Sequence, residues 1–171
     1  MARTQATLLA AACLAVAGCE TVPALVGPAP FDPTPEAAHA YVALASSGDA
    51  YEIESGRLAL QRSADPRHRS FAQMMVGDHG TTTAQLNAAA TAAGLGPWPG
   101  GMLPVHQAMM RELAASANFD ATYHQQQIRA HEMALALHSN YSARGDRAEL
   151  RTYASMTAPV VQRHLDQMRG M

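Results

Sequence analysis

Prolines, glycines and short polar residues divide this chain into long uninterrupted stretches, and that punctuation limits its fold more than any other feature. Thr34-Pro35-Glu36 reads as a helix start: an N-cap, a proline at the first helical position and an early acid that suits the helix dipole. The stretch it opens runs to about Ala64, with Gly48 and Gly56 as mild interruptions. Asp65-Pro66 repeats the signal and opens a second helix that ends near Gly94. Gly94 to Pro104 is a Gly/Pro loop around Trp98, followed by a short helix over about Val105 to Ala115. A third long helix starts near Asn118 or Asp120 and stops at Gly145, read as a C′ residue. Asp146 and Glu149 form a capping-box-like pair that opens the last helix. No segment sustains period-two alternation, so no strand is expected.

Four long helices and one minor helix predict an all-α, four-helix bundle, with a short extra helix in the long connection between helices two and three. Helices of about 25 to 30 residues would be about 40 Å long. The composition agrees: 48% of residues are apolar and only 5% aromatic, which suits close-packed helices better than a sheet.

The residues before the bundle address where the chain works. Arg3 supplies a positive start, and Ala6 to Ala17 form an apolar run shorter than the ~20 residues needed to cross a bilayer. The run ends in Val16-Ala17-Gly18-Cys19, which resembles the lipobox at which lipoprotein signal peptidase cuts. Residues 1–18 are therefore expected to be a signal peptide, and Cys19 the lipid-bearing N-terminus. Residues 19–33, rich in proline, read as a flexible tether, and 34–171 as the bundle domain. Cys13 would leave with the signal and the Cys19 sulfur would carry lipid, so neither a disulfide nor a thiolate zinc site is available. The implied location is the cell envelope, lipid-anchored and facing the periplasm. Glu20 after the cysteine points to the outer membrane by the sorting rule of enteric bacteria. A net charge of −2 without a basic run argues against nucleic acid as a partner.

Bundles often carry sites on their inward faces, so the polar residues on the apolar stripes matter most. In helix one, Tyr41, Ala45, Gly48, Glu52, Ser55 and Ala59 share a face, while Glu54 points away. Phe71, Met75, Asp78, His79, Thr82 and Leu86 share one in helix two. In helix three His124, His131 and His138 recur every seven residues among Ile128 and Leu135; in helix four Tyr153, Thr157, Val161, His164 and Met168 line up. Two readings fit. In one, these groups hydrogen-bond each other across the core, for example His79 with Glu52. In the other, Glu52, His79, His131 and His164 ligate a transition metal such as zinc, iron or copper, with Asp78, Asp120, His124 and His138 behind them.

Other motifs are absent or ordinary. A di-iron carboxylate site needs Glu-x-x-His on two helices, and Glu36-Ala37-Ala38-His39 is the only match. Pro159 inside helix four predicts a kink near His164. Met74, Met75, Met109 and Met110 read as adaptable core filler. No Gly-rich phosphate loop, nucleophile elbow or zinc-protease motif appears, so no catalytic residue is assigned.

The order of Tyr51-Glu52-Ile53-Glu54-Ser55-Gly56-Arg57-Leu58-Ala59, Phe71-Ala72-Gln73-Met74-Met75-Val76-Gly77-Asp78-His79, Phe119-Asp120, Ala130-His131-Glu132 and Pro159 with His164-Leu165 resembles the "domain of unknown function 4142" family over about Thr34 to Met168. The resemblance implies a ferritin-like fold in a bacterial envelope protein, and marks Glu52, Asp78, His79, Asp120, His131 and His164 as matching positions. It implies no reaction. The leading expectation is a non-enzymatic envelope lipoprotein whose bundle binds a partner or a metal ion, in a stress-related role. The alternative is a metal-binding protein or metal-dependent enzyme built on Glu52, His79, His131 and His164.

Overall fold

The structure is a computed structural model and describes residues 32–171, Pro97 apart. The expected signal peptide and nearly all of the expected tether lie outside the described residues, as does Pro97. Five helices make up the rest: α1 Ala38–Arg62, α2 Pro66–Ala92, α3 Pro104–Ala115, α4 Phe119–Arg144 and α5 Ala148–Arg169, with no strand among the described residues. No helix among them is long and apolar enough to cross a membrane.

Hydrogen bonds between helix ends fix the topology. The Asp146 amide donates to the Glu36 carbonyl, joining the start of α1 to the end of α4. At the other end the Ala64 amide donates to Asp120, and Arg62 donates to the carbonyls of Ala114 and Ser116. The Arg67 guanidinium at the head of α2 reaches the Met171 carbonyl past the end of α5. Thus α1 and α2 form one antiparallel pair and α4 and α5 another; α1 packs on α4, α2 on α5, and α3 lies across α1 and α4 within the single long crossover.

Local chemistry explains some helix ends and tertiary contacts override others. Asp65 caps α2 as expected, its Oδ1 accepting from the Arg67 amide at 2.8 Å with Pro66 at the first position. Gly94 after α2 takes φ 77°, where a side chain would be strained. Thr34, in contrast, does not cap α1. The helix starts four residues later, behind Ala37, with no side-chain cap. Asp32 takes the Thr34 amide, Asn140 takes its carbonyl and Asp146 takes that of Glu36, so this segment is tied to the neighbouring loop and to α4 before it can coil.

Nor do Asp146 and Glu149 form a capping box. Arg147 is the N-cap of α5, without a side-chain bond, because Asp146 accepts from the Tyr141 hydroxyl at 2.8 Å. Gly145 is not left-handed either, with φ −59°. It is required for space, since a Cβ there would run into the Tyr141 ring. Helix α5 continues through Pro159. Glu36 lies ahead of α1 and pairs with Arg144.

The interior is layered. One apolar cluster gathers Tyr41, Leu44, Leu86, Leu137, Tyr141 and Leu150, with Tyr41 and Tyr141 stacked at 3.8 Å. Another, toward the other end, holds Phe71, Met75, Leu113, Phe119, Tyr123 and Met168. Truncating any of the large ones would cost about 2–5 kcal/mol. Between these two layers, at the middle of α1, α2, α4 and α5, the core turns polar.

Candidate metal centre

Three long helices each deliver one imidazole to that middle layer: His79 from α2, His131 from α4 and His164 from α5. The rings are 7%, 1% and 6% exposed, with centroids 5.6 to 6.0 Å apart. One nitrogen of each lies within 4.8 Å of the other two. The fourth long helix, α1, contributes carboxylates.

The outer nitrogen of each ring is occupied. His79 Nδ1 is 2.7 Å from Asp49 Oδ1. His131 Nδ1 donates to the Gln127 carbonyl one turn back, at 2.8 Å. His164 Nε2 is 3.1 Å from Asp78 Oδ2. A neutral imidazole carries one N–H and one lone pair, so these contacts fix which nitrogen keeps the lone pair. The remaining ones, His79 Nε2, His131 Nε2 and His164 Nδ1, are buried and have no partner.

Burial and neighbouring charge set the protonation of the layer. Burial pushes the His131 imidazole down to about 3, and protonated His79 and His164 beside it act the same way. Burial and then His79 lower His164 as well. His79 is also depressed by burial, yet Asp49 outweighs it with help from Glu52 and Asp78, and the group ends above its ordinary value. Glu52, fully enclosed, is pushed up to about 7 by burial, against the pull of His79 and Gln127.

This arrangement fits a metal ion. The donors are unpartnered buried nitrogens aimed at one another, with their tautomers held from behind, as in the carboxylate–histidine pairs that orient metal ligands. Imidazoles sharing an ion at the usual ~2.0–2.1 Å stand about 3.4 Å apart, so small side-chain rotations close the triangle.

The remaining sequence candidates fall elsewhere. Glu52 is not one of the three convergent groups; its Oε1 sits 3.7 Å from His131 Nδ1, on the side of the ring away from the triangle. The expected Glu52–His79 bond is replaced by Asp49–His79. Asp78 does stand behind His164. His138 pairs with the Tyr41 hydroxyl at 2.9 Å in the apolar end layer. Asp120 and His124 lie at the opposite end with His68: Asp120 is 3.5 Å from His68 Nδ1, and the His68 and His124 rings are 5.6 Å apart. Asp49 is the residue that sequence reasoning missed. It lies three positions before Glu52, close enough to share its face, and that spacing is the signal that marks it.

An all-helical bundle with a buried three-histidine layer is the class that fold and site define. Residues 26–171 match the family model described as "Domain of unknown function (DUF4142)", and the chain belongs to that family. Among solved structures it is similar to CopM in the Cu(II)-bound form, at 21% identity and a TM-score of 0.66, over 78% of this chain and 94% of that one. CopM in the Cu(I)-bound form matches at 19% and 0.65 over 78% and 93%, and the apo form at 19% and 0.64 over 78% and 94%. At these identities the likeness shows the fold. No curated protein matches the chain.

Proposed function

We propose that this chain is a lipid-anchored envelope protein whose bundle holds one transition metal ion at His79, His131 and His164. The triangle of unpartnered buried nitrogens carries the reading. Buried ring nitrogens left without a hydrogen-bond partner are costly in a core, and a cation at their centre removes the cost. Neutral imidazoles suit zinc, copper and iron alike, and the likeness to CopM, solved with copper bound, favours copper among them. Rings this deeply enclosed favour holding an ion over turning over a substrate. Elemental analysis of purified protein after growth in metal-supplemented medium should find about one equivalent, absent from His131→Ala. Less than about a tenth of an equivalent in the wild type overturns the metal reading.

The anchoring half of the proposal rests on Val16-Ala17-Gly18-Cys19 and the proline-rich stretch behind it. Cys19→Ser should abolish incorporation of labelled fatty acid and release the protein from the outer-membrane fraction. Unchanged membrane association in that variant would sink it.

A further inference from the structure

Each imidazole of the triad is backed by its own carboxylate. Asp49 stands 2.7 Å behind His79, Asp78 3.1 Å behind His164 and Glu52 3.7 Å behind His131. Asp49 and Glu52 are only 7% and 4% exposed, whereas the Asp78 side chain is 47% exposed. The Asp49 carboxylate also has the hydroxyls of Thr82 and Thr83 at 3.0 and 3.1 Å, both shared with the His79 carbonyl. Among the described residues no arginine pairs with any of the three: the guanidinium ion pairs go to Glu36, Glu54, Asp65 and Glu132. The layer thus gathers carboxylates behind its imidazoles, with no arginine ion-paired to them among the described residues. Orienting a ring requires only an acceptor, as the Gln127 carbonyl demonstrates at His131. Charge beyond that acts on the ion.

We propose that Asp49, Glu52 and Asp78 set the charge of the ion the triad accepts and select a divalent transition metal over a monovalent one. This rests on the metal-binding reading above. Coulomb attraction scales with ion charge, so a carboxylate that tightens a dication about 100-fold tightens a monocation at the same place only about tenfold. Groups behind metal ligands commonly change affinity by about 10- to 100-fold.

The test is competition titration of the purified protein with Zn(II) and with Ag(I), for the wild type and for Asp49→Asn, Glu52→Gln and Asp78→Asn. The amides keep an oxygen acceptor and lose the charge. The expected result is a fall in the Zn(II)-to-Ag(I) affinity ratio of about threefold to tenfold at Asp49 and Glu52, and less at exposed Asp78, where water screens the charge. Asp78→Asn, at the surface, keeps the test open if a buried variant fails to fold. Equal losses for both ions, or none, overturn the proposal while leaving the metal site standing. Failure of the wild type to bind either ion overturns the metal reading itself.

Discussion

Among the buried histidines of this bundle, two sets contrast. His138 and His106 are single imidazoles among hydroxyl groups. His138 Nδ1 meets the Tyr41 hydroxyl at 2.9 Å, and its ring lies edge-on to Tyr41 and Tyr153. His106 Nδ1 meets the Ser47 hydroxyl at 2.6 Å, and its ring stacks on Tyr51. Burial lowers both to about 4, so both are neutral packing elements. His79, His131 and His164 are buried to the same degree, but each turns an unpartnered nitrogen toward the other two. The difference lies in the second nitrogen. Burial of a histidine says little about function; convergence of free lone pairs says much more.

The largest effect expected from breaking this comparison is at His131. His131→Ala should abolish metal binding and with it the rise in melting temperature on adding metal, a rise that in the wild type corresponds to about 4 kcal/mol at a thousandfold excess over Kd. His138→Ala removes an equally buried ring and should leave metal content unchanged. Equal metal loss in both variants would erase the distinction.

Next comes pH. For His106, His131 and His138 the folded values, about 4, 3 and 4, lie below the ordinary 6.5. Their contribution to stability is complete above pH 6.5 and is lost as pH falls through those folded values. Glu52 has the opposite sign: raised from 4.5 to about 7, its contribution is complete below pH 4.5 and lost as pH rises through 7. Metal-free Glu52→Gln should therefore be more stable than the wild type above pH 7, by up to about 3 kcal/mol, with the advantage vanishing near pH 4. Chemical denaturation across pH measures it, and a variant no more stable at pH 8 contradicts it.

Smaller effects sharpen the packing side. Tyr41→Phe strands His138 Nδ1 and should cost about 1–3 kcal/mol without touching metal content. Ser47→Ala should cost about 1 kcal/mol, since its oxygen also accepts from the Leu103 amide at 2.7 Å. Denaturant melts read both, and altered metal stoichiometry in either would show that the two sets of histidines are coupled.

Much of this was legible along the chain. Asp65-Pro66 started α2 where local chemistry said it would, because the Asp65 carboxylate is engaged within its own turn, by the Arg67 amide and guanidinium. Thr34 and Asp146 carried equally good signals and failed, because the surrounding groups were claimed by Asp32, Asn140 and Tyr141. In the site, helical periodicity put His79, His131 and His164 on inward faces, and the structure brings them together. It also put His124 and His138 on that face, yet seven residues along a helix is about 10 Å, too far for rings at those levels to share an ion.

The sequence by itself determined that the chain forms long helices with polar groups on their inner faces, because cap chemistry and helical period act within a few residues. Only the tertiary structure decided which of those groups meet. The relative heights of α1, α2, α4 and α5 place His79, His131 and His164 at one level, with Asp49 behind one ring and Glu52 behind another. Those heights are set by packing and end-to-end hydrogen bonds among residues far apart in the chain, and no local pattern records them.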